Sequence, residues 1–394
     1  MDYILKHKNR PVILFSMDEE YKIDKIIETK DKYLLPMGYK YVNNELYIGN
    51  NLQKWIDERG LPESRSDRED LYKYGNAKNS KELMIGSYGL NLSDQYWIHR
   101  LDKELKWEDI NFFDNKFKDI MKDINGKGNN YNEKVNPNLS VNGTLPKYWF
   151  IDENNNRVLA KKGRNIQWQE PYNEATASDV MEMLGIKNVH YDLKKNENKE
   201  YVSLCKCMID RNEDLVPAVV ILNMDESKGR NNYDMFVDVC NNNGIRNPRE
   251  SLDKMIFIDY VLGNDDRHLY NFGIIRDADN LKWKDIAPIF DNGNILYYNY
   301  QNINNEIIKE NIHCRWFERT NDEKLKYMEY PQWYDKKNVI GIYDIINKYL
   351  TENNRVSNEK RDVVIDIIRD RIKFFENQIK EKIEKNIQGV DIDI

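Results

Sequence analysis

Residues 262–271, LGNDDRHLYN, crowd two aspartates, an arginine, a histidine and two asparagines into a stretch with little apolar material to anchor it. The approach to it is helical: RESLDKMIFIDYVLG (249–263) carries Leu252, Met255, Ile256, Asp259 and Leu262 at helical spacing, with Gly263 where a C-terminal cap belongs. The exit is NFGIIRDADNLKWKDIAPIFDNG (271–293), in which FGIIR and LKWKDIAPIF have strand character and flank the turn residues DADN. Asn271 and Asp291 are centred on position 281, close to that turn, so a hairpin brings both to its open end beside the loop that carries Asp266. Oxygen-bearing side chains gathered from a loop, a strand start and a strand end suit a hard cation such as magnesium, which keeps water and substrate phosphates as its other ligands. A carboxylate left off the metal can take a proton from a hydroxyl nucleophile. An Asp, an Asn five residues on and a second Asp beyond a hairpin are together the parts of phosphoryl transfer.

Working outward, GTLPKYWFIDENNNRVLAKKG (143–163) predicts a second hairpin around the turn DENNN. A turn centred on Asn154 sets Lys147 opposite Lys161. Like charges face to face are destabilising, so the pair suits a bound anion, with two solvated surface lysines as the alternative. EPYNEATASDVMEMLG (170–185) then predicts a helix with Pro171 in its first turn, Glu174 near its beginning and Gly185 as its stop. YVSLCKCMI (201–209) alternates as a strand, and LVPAVVIL (215–222) is apolar enough to be buried, which completes a strand, strand, helix, strand lobe. At the start, PVILFS and LYIGN read as strands and NNLQKWIDERG as a helix ending at Gly60, whereas KDINGKGNNYNEKVNPN (122–138) reads as a linker or loop. Near the end, Val364, Ile368, Ile372, Phe375, Ile379 and Ile383 form an apolar stripe that predicts a helix packed on the core.

Composition narrows the function. A net charge of −7 gives no support to nucleic acid as the main partner. Cys205, Cys207, Cys240 and Cys314 do not resemble a disulfide framework in a chain of 394 residues and read as reduced thiols. The start MDYILKHKNRPVILF lacks a signal-peptide apolar segment, and the longest mostly apolar run, LVPAVVILNM, is far below the ~20 residues of a membrane span. The expectation is a cytoplasmic protein, with secretion without a cleavable signal as the alternative.

GNDDRHLYNFG (263–273) with APIFDNG (287–293) resembles the catalytic core of the HipA-like serine/threonine kinases, whose fold is similar to that of protein kinases and phosphatidylinositol kinases. SVNGTLPK (140–147), VLAKKG (158–163) and EPYNEATASDVMEMLGI (170–186) extend the resemblance upstream, and NLSDQYWI with WEDINFFDN is similar to the CtkA-like branch. The resemblance implies an α+β, two-lobed protein-kinase-like fold, with a small N-terminal α+β unit (1–78), a small lobe (79–225) and a mainly helical lobe (226–394).

It also implies ATP and Mg2+ as cofactors and a protein serine or threonine as acceptor. Asp266 corresponds to the catalytic aspartate, and Asn271 and Asp291 to the metal ligands. Lys161 corresponds to the lysine on the α and β phosphates, with Lys162 as its rival, and Glu174 to its ion-pair partner, with Glu170 competing. Ser140, Val141, Asn142, Gly143, Thr144 and Lys147 would fold over the triphosphate, with Gly143 the only glycine where ordinary kinases have three. Ser140 and Thr144 are candidates for self-phosphorylation near the γ-phosphate. Cys205, Lys206, Cys207 and Met208 would form the hinge that reads the adenine. His268 reads as a hydrogen-bonding organiser of the catalytic loop, with metal ligation as the alternative, and Arg267 as a brace of that loop or of a phosphorylated segment. An antitoxin or other regulatory protein is an implied partner. The competing readings are a lipid or small-molecule kinase and a non-catalytic, toxin–antitoxin-type binding protein.

Overall fold

The computed structural model describes residues 1–38, 45–120, 135–141, 143–164, 166–224, 230–301, 303, 317, 320–328 and 332–390. Strands β1 (Asp2–His7), β2 (Arg10–Met17) and β3 (Ile23–Thr29) form an antiparallel meander. Leu5 pairs with Ile13 on one side and with Ile98 on the other, because β4 (Tyr96–Arg100) joins the free edge of β1. The sheet therefore draws a strand from beyond residue 78. The stretch LYIGN is helical rather than extended: it lies in the helix Glu45–Glu58, whose Ile48, Leu52 and Ile56 recur every four residues and are buried in the core under this sheet. That periodicity outweighs the strand character of a five-residue window.

The second sheet contains β5 (Lys147–Ile151), β6 (Arg157–Lys161), β7 (Asp192–Lys195) and β8 (Tyr201–Lys206) in the order β5-β6-β8-β7. Lys147 pairs with Lys161 across the β5–β6 ladder. The helix Glu170–Met183 packs between β8 and the large-lobe helix Gly341–Glu352, and Tyr349 donates to Asp179 Oδ2 at 2.8 Å. Every residue from Glu170 to Ser178 is buried, so this helix has no solvated face in its first half.

The stretch LVPAVVIL divides at Pro217. Before it runs β9 (Glu213–Pro217), and after it a short helix, Ala218–Leu222. β9 does not join the small-lobe sheet; it pairs with β10 (Gly273–Asp277), which pairs in turn with β11 (Trp283–Ile286). A buried charge cluster fixes this third sheet to the N-terminal unit. Asp214 Oδ2 meets His7 Nε2 at 2.7 Å and accepts from Arg276 Nε at 2.9 Å, while Asp214 Oδ1 accepts from the Gln95 N–H at 3.0 Å.

The helices Asn232–Asn242, Pro248–Leu262, Gly341–Glu352 and Asn358–Val390 build the large-lobe core. Val364, Ile368, Ile372 and Phe375 are buried in it and Ile379 packs against it; the Ile383 side chain lies outside the described residues. The linker expected at 122–138 falls largely outside them too. Its described end is buried: Asn138 donates through Nδ2 to the Trp149 carbonyl at 3.0 Å and accepts from the Trp149 N–H at 2.5 Å, an added rung on β5. Cys205, Cys207 and Cys240 are free thiols, and Cys314 lies outside the described residues. Among the described residues no helix is long and apolar enough to cross a membrane.

Candidate active site

The helix Pro248–Leu262 ends at Gly263, whose φ of 73° is the left-handed conformation glycine adopts without strain. The loop it releases folds on a side-chain scaffold. Asn264 Oδ1 accepts from the Asp266 N–H at 3.0 Å, and Asn264 Nδ2 donates to Asp259 Oδ1 at 3.1 Å. Arg267 is fully buried; its Nε donates to both Asp259 oxygens at 3.2 Å, and its Nη atoms reach the carbonyls of Asn271 (2.9 Å) and Phe290 (2.6 Å) and Asn292 Oδ1 (2.6 Å). The arginine is thus the loop brace, and its counter-ion is Asp259.

The β10–β11 register pairs Ile274 with Ile286, so Asn271 and Asp291 emerge at the same end of the hairpin. Asn271 Nδ2 donates to the Asp266 carbonyl at 3.1 Å, and Asn271 lines the cleft. Asp266 is half-buried, with Oδ2 accepting from Asn294 Nδ2 at 3.0 Å. Asp291 has a φ of 59°, a left-handed position that aspartate tolerates better than branched residues do.

Lys161 joins the lobes. Its Nζ donates to Glu174 Oε1 at 2.5 Å, to Asp291 Oδ1 at 2.7 Å and to Tyr191 Oη at 3.3 Å, and Glu174 Oε2 accepts from the Asn292 N–H at 2.8 Å. Lys161 and Glu174, rather than Lys162 and Glu170, therefore meet: Lys162 lines a separate groove with Tyr148 and Phe150, and Glu170 accepts from the Arg164 N–H at 3.3 Å. Burial acts against the charge on Lys161, but Asp291 and Glu174 hold its ammonium well above the usual lysine range. Burial would likewise raise Asp291, yet Lys161 and Lys147 hold its carboxyl below the usual carboxylate range.

Val141, Gly143 and Lys147 line the same cleft, whereas Asn142 lies outside the described residues. Gly143 has a φ of +110°, a conformation that favours glycine, and the end of the Lys147 side chain lies against it, 2.3 Å from where a Cβ would stand. Burial, reinforced by Lys161 and Arg65, pushes Lys147 down to about 8 against the pull of Asp291. The two loop hydroxyls differ. Ser140 is buried and donates to the Leu90 carbonyl, so it does not face the cleft as expected; Thr144 is exposed, with Oγ1 accepting from Arg164 at 3.2 Å.

Cys205, Lys206, Cys207 and Met208 line the cleft with Leu159, Trp149 and Phe290. Burial pushes the Cys205 thiol up to about 12 and the Cys207 thiol up to about 11, so both stay neutral. The cleft measures about 500 Å³, within the ~300–1,000 Å³ typical of small-ligand sites. His268 borders it, and its Nδ1 accepts from the Tyr270 N–H at 3.3 Å, in keeping with an organiser of the loop. Among the described residues no group of three or more His, Cys, Asp or Glu side chains forms a metal cage. The oxygens of Asn271 and Asp291 fit magnesium, which needs few protein ligands when substrate phosphates supply others.

Sequence reading missed the N-terminal wall of the cleft, where Trp55, Glu58 and Arg59 stand and Tyr270 Oη donates to Glu58 Oε2 at 2.5 Å. It also missed Tyr191, Asn294 and Arg65, none of which belongs to a motif or periodic pattern.

Residues 139–364 match the family model of the HipA-like C-terminal domain. Among solved structures, the chain is similar to HipA of Shewanella oneidensis MR-1, solved as a toxin–antitoxin complex with HipB and operator DNA. That match has 13% identity and a TM-score of 0.56, and covers 96% of this chain and 99% of that one. It is also similar to the Helicobacter pylori proinflammatory kinase CtkA at 16% identity, with a TM-score of 0.46 and coverage of 61% of this chain and 96% of that one. No curated protein matches the chain. The architecture is the expected one: α+β, two-lobed and kinase-like.

Proposed function

The chain belongs to the HipA-like C-terminal domain family, and on that premise we propose that it is an ATP- and magnesium-dependent kinase that transfers the γ-phosphate to a protein serine or threonine. The observation that carries this reading is the bridge from Lys161 to Glu174 and Asp291, which ties β6, the facing helix and the metal-binding candidate into one ionic unit. In the reaction, the carboxylate of Asp266 accepts the proton of the acceptor hydroxyl, oriented by Asn294. Of the residues that line the cleft, Lys161 and Lys147 would lie against the nucleotide phosphates, Asn271 and Asp291 would hold magnesium, and the backbone of Cys205–Met208 would meet the adenine. Magnesium, when bound, supplies charge neutralisation on the transferred group. A small regulatory protein of antitoxin type is a proposed partner, by analogy with the HipA solved with HipB.

The test is ATP turnover with magnesium against generic protein acceptors, read by mass spectrometry, beside thermal stabilisation by the magnesium–ATP pair. Turnover in the native chain and none in Asp266→Ala is the expected result. A native chain that neither consumes nor is stabilised by magnesium–ATP overturns the reading.

A further inference from the structure

We propose that Arg65, a residue of the N-terminal unit, is a positioning residue for the phosphate loop and makes that unit a working wall of the nucleotide cleft. The assignment of the loop rests on the kinase reading; the grip itself rests on geometry. Arg65 is buried and follows the helix Glu45–Glu58. Its Nη1 donates to the Val141 carbonyl at 2.9 Å and its Nη2 to the Lys147 carbonyl at 2.7 Å. Those two carbonyls bracket Gly143 and Thr144, so one guanidinium holds both ends of the loop.

Asp67 takes the Nε donor at 2.6 Å and a second bond from Nη2 at 3.1 Å. The charge is therefore balanced locally, and the outward bonds to the loop are charge-assisted. A comparison within the same unit sharpens the point. Arg59 spends its bonds on the Gly89 and Tyr96 carbonyls and on Asp94, along the chain that leads into β4. Arg65, apart from Asp67, donates to the phosphate loop alone. A lysine cannot reproduce a two-pronged hold, because its ammonium is a point charge rather than a planar fork.

The test uses the full-length chain, native and as Arg65→Met and Arg65→Lys. Hydrogen exchange without nucleotide reads the grip directly: the amides of Gly143, Thr144, Leu145 and Lys147 should exchange about tenfold faster in Arg65→Met, with β1 and β2 unchanged. The KM for ATP should rise about tenfold while kcat stays within about twofold, and Arg65→Lys should fall between. Unchanged exchange in the loop overturns the proposal, as does a fall in kcat with KM intact. If Arg65→Met loses its fold, the charge-conserving Arg65→Lys decides by the same two readouts. A native chain that does not use ATP sinks the kinase reading, while the exchange comparison still decides the grip.

Discussion

The two sides of the cleft are built by opposite strategies. On the large-lobe side, Asn271 and Asp291 line the cleft, Asp266 meets Asn271 through its carbonyl, and Arg267, paired with Asp259 of the same stretch, holds the Asn271 and Phe290 carbonyls. On the small-lobe side, the loop Ser140–Lys147 is held by Arg65, seventy-six positions from the Val141 carbonyl it grips. The first is a cassette braced mainly from within its own stretch, with Lys161 and Glu174 meeting it at Asp291 and the Asn292 N–H, and the second depends on a distant part of the chain. Chemistry that tolerates little displacement gains from such bracing close in sequence, whereas the loop's position depends on how a separate unit packs.

The largest expected break in this contrast is Asp266→Ala, which should lower transfer by about 10⁴-fold at saturating ATP while leaving the melting temperature unchanged. Initial rates and calorimetry on one preparation check it. Next, Asp259→Asn leaves the buried Arg267 charge uncompensated and should cost about 3–5 kcal/mol in denaturant unfolding. A cost under about 1 kcal/mol would mean that the cassette has another keystone.

A smaller effect belongs to the phosphate-loop side. The folded state holds Lys147 near 8, below its unfolded value of 10.5, so it sheds its proton between those values before the unfolded chain does. Stability therefore rises with pH across that window, while attraction for phosphate is lost above about 8. The kcat/KM for ATP should fall along an alkaline limb near 8, and Lys147→Arg should remove that limb. The finest test is by site: self-transfer should mark Thr144 before Ser140, whose hydroxyl is buried against Leu90. Phosphopeptide mapping at early times reads the order.

This contrast also explains what the sequence discloses. The cassette is legible because its parts lie at fixed offsets: a glycine stop, an Asn five residues after Asp266, and an Asp one hairpin later. The Lys147–Lys161 pairing is legible because a hairpin turn fixes register by symmetry. Arg65 and Tyr191 act through contacts to distant backbone or to a distant lysine, and such contacts leave no period and no spacing. β9 is misleading for a related reason: its apolar character announces burial but not the sheet that buries it, and the partner, β10, comes much later in the chain. LYIGN shows the remaining limit, because five residues with strand character also fit one face of a longer helix.

The cluster around Asp214 has a mechanical consequence. His7 and Gln95 bind the N-terminal unit to Asp214 on β9, in the large-lobe sheet, while the same unit holds the small lobe's loop through Arg65. β8 ends at Lys206 and β9 begins at Glu213, so residues 207–212 are the short backbone connection between the two sheets. The N-terminal unit is thus fastened to both sheets that this connection joins. Any shift of one sheet against the other therefore has to work against both the Asp214 cluster and the Arg65 bonds.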